Sequence, residues 1–348
     1  MSRRPLSRAL LLRWVILLCL VLGLCLVLAA ANGAGRVDLP GLLGLGSESL
    51  GEEERSVMTR ILLQVRLPRV LLAGLLGAAL TVAGIAFQAL LRNPLADPFV
   101  LGVSGGASLG GVLALLLGLG AGGVGRWVGV PGFAFLGALG SLVLIERVAT
   151  IGGRFTVHTI LLTGVIFNAF AAALIYFVQS IASLEQLHAI VFYLMGRVPY
   201  EYGLGGVGLL ALFCLLVSGG VLRMARDYNA LSLGEESAQQ LGVEVERVRR
   251  HTYVLGSLLT GLTVALAGLI GFVGLVVPHL LRLLLGPDHR LLVPTGFLAG
   301  GAFLVLADLA ARTVAAPGEI PVGVLTALIG GPFFLALLRR RGSGYVFG

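Results

Sequence analysis

Apolar residues in this chain come in long unbroken runs separated by short polar breaks. A helix needs about 20 mostly apolar residues to cross hydrocarbon, because its backbone polar groups must be satisfied within the segment. The strands of a membrane barrel would alternate apolar and polar residues at every second position, which these runs do not. The runs fall at about 14–33, 68–91, 99–119, 127–147, 157–179, 203–223, 251–273, 278–286, 291–311 and 321–338. The pattern predicts an all-α integral membrane protein of about ten transmembrane helices, forming one domain over residues 1–348.

Three breaks have local causes. Asn93-Pro94-Leu95-Ala96-Asp97-Pro98 cannot continue a helix, since each proline lacks an N–H and pushes its predecessor out of the helical region. Pro278 is expected to open a half-helix ended by Gly286-Pro287, roughly 13 Å long and too short to span alone. Pro317 to Pro321 forms a turn before the last span.

Composition agrees: 57% of the residues are hydrophobic and 12% charged, about half the charge of a soluble domain. The net charge of +8 would suggest nucleic acid in a soluble protein. Here the arginines sit between apolar runs, so they report membrane orientation and no nucleic-acid partner is expected. With the N-terminal Arg3, Arg4, Arg8 and Arg13 placed in the cytoplasm, that side also receives Arg92, Arg147, Arg154, Arg223, Arg226, Arg247, Arg249, Arg250, Arg282, Arg290 and Arg339 to Arg341. The other side receives Asp38, Glu48, Glu52 to Glu54, Glu185, Glu201 and Glu319, so both termini are expected to be cytoplasmic. The run from Trp14 to Ala31 is longer than a signal-peptide core and reads as a retained first helix of an inner (plasma) membrane, multi-pass protein.

The chain contains no lysine, and a phosphate-binding P-loop requires one. Gly102-Val103-Ser104-Gly105-Gly106 follows a proline turn rather than a strand, so close helix packing explains it better than a nucleotide. No catalytic constellation and no metal-ligand spacing is present; Cys19, Cys25 and Cys214 lie inside apolar runs, and His158 and His279 are isolated. Gln88, Asn168 and Gln179 are the polar residues deeper in spans, suited to interhelix hydrogen bonding or to lining a path.

The most charged stretch, about 224–250, carries a candidate helix. Ser232 and Glu235 have the spacing of a capping box, and Gly242 suits a left-handed stop. Leu233, Ser237 and Leu241, spaced by four, form a narrow apolar seam beside Ala238. A helix this short is marginal in water and needs a surface to dock against, either its own membrane domain or a cleft on a cytoplasmic partner.

Several segments carry a specific resemblance. Arg66-Leu67-Pro68-Arg69, Gly84 through Pro98, Leu101 through Ala107, Leu233-Gly234-Glu235 with Gln240-Leu241-Gly242, Gly271 through His279 and Glu319-Ile320-Pro321-Val322-Gly323 together resemble the permease family of ABC importers for iron chelates (siderophores), haem and cobalamin. The resemblance implies a ten-helix subunit with an inverted internal repeat, echoed by Leu80-Thr81-Val82-Ala83-Gly84 and Leu262 through Gly268. It implies pairing with a second copy, two cytoplasmic ATPase subunits that hold ATP and Mg, and an external substrate-binding protein that delivers the chelate. This chain itself would bind no cofactor and hydrolyse no ATP.

Residue by residue, it implies an ATPase-coupling helix built on Leu233, Gly234, Glu235, Ser237, Ala238, Leu241 and Gly242. It places Arg66, Arg69 and Arg312 where arginines of the family meet glutamates of the binding protein. Phe155 to Thr159 matches the start of the fifth helix, where the cobalamin importer has small hydroxyl residues as a gate. Here Val157 and His158 stand instead; with Gln88 and Asn168 they are the candidate gate and path residues. A secondary transporter or channel is the competing reading, and it has no need of the coupling helix; an intramembrane enzyme lacks a catalytic constellation.

Overall fold

The computed structural model describes residues 8–33, 51–119, 128–151 and 154–341, and in it the apolar runs are helical throughout. In chain order the helices are α1 (Arg8–Ala31), α2 (Glu52–Arg60), α3 (Leu67–Leu90), α4 (Val103–Leu116), α5 (Val130–Ala149), α6 (Val157–Ile181) and α7 (Leu184–Leu194). Then follow α8 (Leu204–Arg223), α9 (Ala225–Leu231), α10 (Glu235–Gln240), α11 (Val245–Ala267), α12 (Val273–Leu285), α13 (His289–Thr313) and α14 (Val322–Arg341). A two-residue strand pair, Thr150–Ile151 with Arg154–Phe155, joins α5 to α6. Each expected span coincides with one of these helices, and six of the described helices are long and apolar enough to cross a membrane.

The described residues depart from the pattern of apolar runs, or add to it, in four places. Between the first two runs, residues 34–50, with Asp38 and Glu48, lie outside the described residues, as do Arg3 and Arg4. The rest is helical: α2 runs through a π-helical step at Ile61–Arg66 into α3, a continuous 38-residue rod over Glu53–Leu90. Pro68 is the second residue of α3 and lacks the N–H that would continue the ladder there, and the π-helical step directly precedes that helix. Second, Pro278 does not open a helix; it lies inside α12, which starts at Val273. The carbonyl it leaves without a helical donor, that of Gly274, receives the side-chain amide of Gln88 at 3.4 Å. Third, the stretch between α6 and α8 carries α7, capped by a reciprocal Ser183–Gln186 box. Fourth, the charged 224–250 stretch is mostly helix: α9, α10 and the first turns of α11.

Helix α3 is the axis of the molecule. It is buried over nearly its whole length, from Pro68 to Leu90, against α1, α8, α11, α12 and α13. Contact is close enough to require glycine. A Cβ on Gly77 would strike the Gly300 carbonyl of α13, and one on Gly84 would strike the Gly274 carbonyl of α12. Gly296 and Gly300 form a small-xxx-small pair on α13, the device by which membrane helices approach backbone to backbone. The Gly102–Gly106 segment serves the same end: Gly102 starts α4 with φ 92°, and a Cβ on Gly106 would meet the Gly137 carbonyl of α5.

Candidate functional site: two charged ends and a lateral cleft

At one end of the molecule, the C-termini of α1 and α13 meet the N-terminus of α3. There the three arginines singled out in the sequence come together, but not as free side chains. Arg69 is 6% exposed and its guanidinium is filled from two sides. Asp308 accepts from it at 3.0 and 3.3 Å, and Glu319 accepts through both oxygens at 2.9 to 3.1 Å. Arg312 is 5% exposed and pairs with the other Asp308 oxygen at 2.9 Å, while donating to the Ala29 carbonyl at 3.3 Å. Arg66, half-buried, donates to the carbonyls of Ala30 and Ala31, which close the last turn of α1. Asp308 is 1% exposed, whereas the Glu319 side chain is 38% exposed. Three arginines thus face two carboxylates of their own chain.

At the opposite end, a full α3 away, the charged loop folds as two short helices. The anticipated capping box does not form. Ser232, the C-cap of α9, still has helical backbone angles and donates its hydroxyl to the Asn229 carbonyl, so it does not cap the next helix. Gly234 takes the N-cap position with φ 111°. The left-handed stop is present: Gly242 has φ 84°, its N–H donates to Gln239, and the Val243 N–H donates to Ala238, a Schellman closure.

The helix α10 has two faces. Ala238 is fully buried where α10 packs on α9 and α11, in a core that also holds Tyr228, Leu231, Val245 and Val248. Leu233 and Leu241, 64% and 65% exposed, face away, with Ser237 half-buried between them. Glu235 is paired with Arg249 of α11 and lies 3.4 Å from Arg92, just past the end of α3. A second tie joins α9 to α13: Asn229 donates to Asp288 at 2.7 Å and accepts from the His289 N–H at 2.9 Å. Asp288 also receives Arg290, and these hydrogen bonds hold its carboxyl down to about 2. Because that value lies below the unfolded carboxylate range, the tie is complete above about pH 4 and is lost as pH falls toward 2.

Between the ends, a cleft of about 410 Å³ opens sideways among α4, α6, α7 and the 269–271 segment. Its polar lining is Ser104, Ser108 and Asn168; Phe99, Ile175, Tyr176 and Leu194 supply most of the rest. Asn168 donates to the Phe99 carbonyl at 2.8 Å and accepts from the Gly105 N–H, tying α6 to the start of α4. The other three path candidates do not line the cleft. Gln88, 3% exposed, donates to the backbone carbonyls of Gly274 at 3.4 Å and Ala96 at 3.5 Å. Val157 and His158 occupy the first turn of α6, capped by Thr156, where Val157 packs inward and His158 is exposed.

The i,i+4 spacing of Asp308 and Arg312 was a local signal for their pairing, whereas the pairing of Arg69 with Asp308 and Glu319, and of Glu235 with Arg249 and Arg92, joins residues with no local signal between them. Helix α7 had a local signal, the S-x-x-Q spacing of Ser183 and Gln186. Among the described residues, no group of three or more His, Cys, Asp or Glu is placed to hold a metal ion.

These features define a helical membrane transport subunit with a charged cluster at one end and a bracketed short helix at the other. The chain belongs to the FecCD transport family, whose model matches residues 21–340. It is 42% identical over 279 residues to the cobalamin import system permease protein BtuC of Halobacterium salinarum, covering 80% of this chain and 73% of that protein. It is 39% identical over 334 residues to the hemin transport system permease protein HmuU of Yersinia pestis, covering 92% and 96%. A solved structure of a metal-chelate type ABC transporter in an inward-facing conformation superposes with a TM-score of 0.82 and 32% identity, covering 94% of this chain and 99% of that one. The protein is an ABC transporter permease and a multi-pass protein of the inner membrane.

Proposed function

We propose that two copies of this chain form the membrane path of an importer for a metal chelate of the iron–siderophore, haem or cobalamin class. Two cytoplasmic ATPase subunits drive it with ATP and Mg, and an external binding protein delivers the cargo. The observation that carries the reading is α10. Its inner face is packed and its acidic N-terminus bracketed to α3 and α11, while two leucines are left in water at its ends. A helix of six residues held this firmly, with an exposed leucine flanking each end, is built to enter a cleft on another protein. That end is then cytoplasmic and the Arg69–Asp308–Glu319 end external. The lateral cleft supports the second copy, which would close its mouth, where Tyr176 is 69% exposed and Asn168 half-buried.

The test starts from the tagged chain purified in detergent, alone and from cells that co-express its neighbours. The pure chain should hydrolyse no ATP above background, whereas complexes that retain an ATPase should. Robust hydrolysis by the pure chain would overturn the assignment of ATP to a partner subunit, and full chelate uptake into vesicles without ATP would establish the secondary-transporter reading instead.

The outer face of α10 gives a sharper check. Leu241→Asp puts a charge into the proposed contact, and a buried unpaired charge costs several kcal/mol. Uptake should fall by about tenfold or more at unchanged permease level in the membrane, since every 1.4 kcal/mol is tenfold. Ala238→Asp is the wrong probe, because Ala238 packs inside its own chain and the change would disturb the local fold. Wild-type uptake by Leu241→Asp would remove α10 from the coupling interface.

A further inference from the structure

The arginine cluster is not an empty receptor for an acidic partner, because its best site is already occupied. Arg69 presents a planar fork that matches a carboxylate, and Glu319 fills it with both oxygens at 2.9 to 3.1 Å. The two carboxylates of the cluster differ in how firmly they are held. Asp308 is 1% exposed and shared between Arg69 and Arg312, so it is part of the interior. Glu319 approaches from outside: its side chain is 38% exposed, and it ends an exposed turn, 313–319, between α13 and α14. The backbone on its far side is fixed by Ile320 donating to Ala311 and Gly323 donating to Gly196. The side chain can therefore leave the fork while the turn stays in place.

We infer that Glu319 is an internal stand-in for a partner carboxylate, occupying the Arg69 fork in the undocked permease and giving way to an acidic side chain of the external binding protein when it docks. This rests on the docking role proposed for the end that carries Arg66, Arg69 and Arg312, and it adds the competitor that sets the affinity. The charge balance fits such an exchange. With Glu319 in place, three arginines face two carboxylates; with a partner carboxylate in the fork and Glu319 released to water, the fork is again bidentately filled. Docking then gains less than a free fork would give, because one carboxylate replaces another, and the contact stays reversible.

The experiment uses the full importer captured with the tagged chain, reconstituted in lipid, and the binding protein that co-purifies with it. Dissociation constants are measured across a salt series for wild type, Glu319→Gln and Glu201→Gln. Glu201 is an exposed acid beside Arg197, at 3.9 Å, and has no bond to Arg69. Glu319→Gln should bind the partner about tenfold more tightly, and most of the gain should survive at 1 M salt, where charges separated by more than about 3 Å of solvent are screened. Glu201→Gln should stay near wild type. Unchanged or weaker binding by Glu319→Gln overturns the inference, and so does a gain that vanishes at high salt or is matched by Glu201→Gln, since either would mean general charge repulsion. Absence of any measurable docking in all three proteins would instead overturn the docking role on which the inference stands.

Discussion

Asp308→Ala should cost the folded protein more than any other single loss of a charge. The carboxylate is 1% exposed and holds Arg69 at 3.0 Å and Arg312 at 2.9 Å, both of them buried. Without it, two guanidinium groups face each other in the interior with Glu319 as the remaining acid. Breaking a buried pair by removing one partner typically costs about 3–5 kcal/mol, because the other charge keeps its desolvation penalty. In a protein of this size that corresponds to a fall in thermal midpoint on the order of 10 °C. The measurement is the unfolding midpoint of the detergent-solubilised chain. A midpoint within a degree of wild type would mean that the cluster is solvated and that Asp308 is not its keystone. The same logic changes how arginine variants are interpreted: reversing Arg69 or Arg312 to Glu breaks this interior network first, so lost docking in those variants would not show where the partner binds.

The second large effect concerns space rather than charge. Gly84→Leu should prevent α3 from seating against α12, because the first side-chain atom would strike the Gly274 carbonyl, and backbone cannot move aside as a flexible side chain can. Loss of most correctly folded protein is expected, read as the fraction that runs monodisperse after solubilisation. Gly219→Leu on α8 is the matched control, since a Cβ there meets nothing within 4 Å. Equal yields for the two variants would mean that α3 and α12 are not in backbone contact in the membrane.

Much of the architecture was legible because it follows from local solvent preference. Apolar runs in a chain with 12% charge have few other solutions than helices, and every expected span coincides with one. Errors came where a residue's usual local meaning was overridden by a neighbour. Pro278 is a helix breaker when its orphaned carbonyl has no donor; Gln88, 190 positions earlier in the chain, supplies one. Ser232 and Glu235 have the right spacing for a cap, yet Ser232 was already spoken for by the end of α9. The charged site was only half legible. Positions of Arg66, Arg69 and Arg312 near helix ends could be read, and so could the i,i+4 pair of Asp308 with Arg312, but the pairing of Arg69 with Asp308 and Glu319 joins segments 239 and 250 residues apart. Likewise Leu233, Ser237 and Leu241 were visible as a seam, while the direction in which that seam faces depends on how Ala238 packs.

Helix α3 has charged anchors near both ends, Arg69 paired with Asp308 and Arg92 beside Glu235, with a buried, glycine-seated shaft between. Its 24 residues make a rod of about 36 Å at 1.5 Å per residue. A rod of that length that tilts by about 10° about one end carries the other end sideways by roughly 6 Å, more than an ion pair can follow. The geometry works as a lever: a tilt of the rod about its Arg69 end carries Arg92 away from Glu235 unless α10 moves with it, and a tilt about its Arg92 end carries Arg69 away from Asp308 and Glu319.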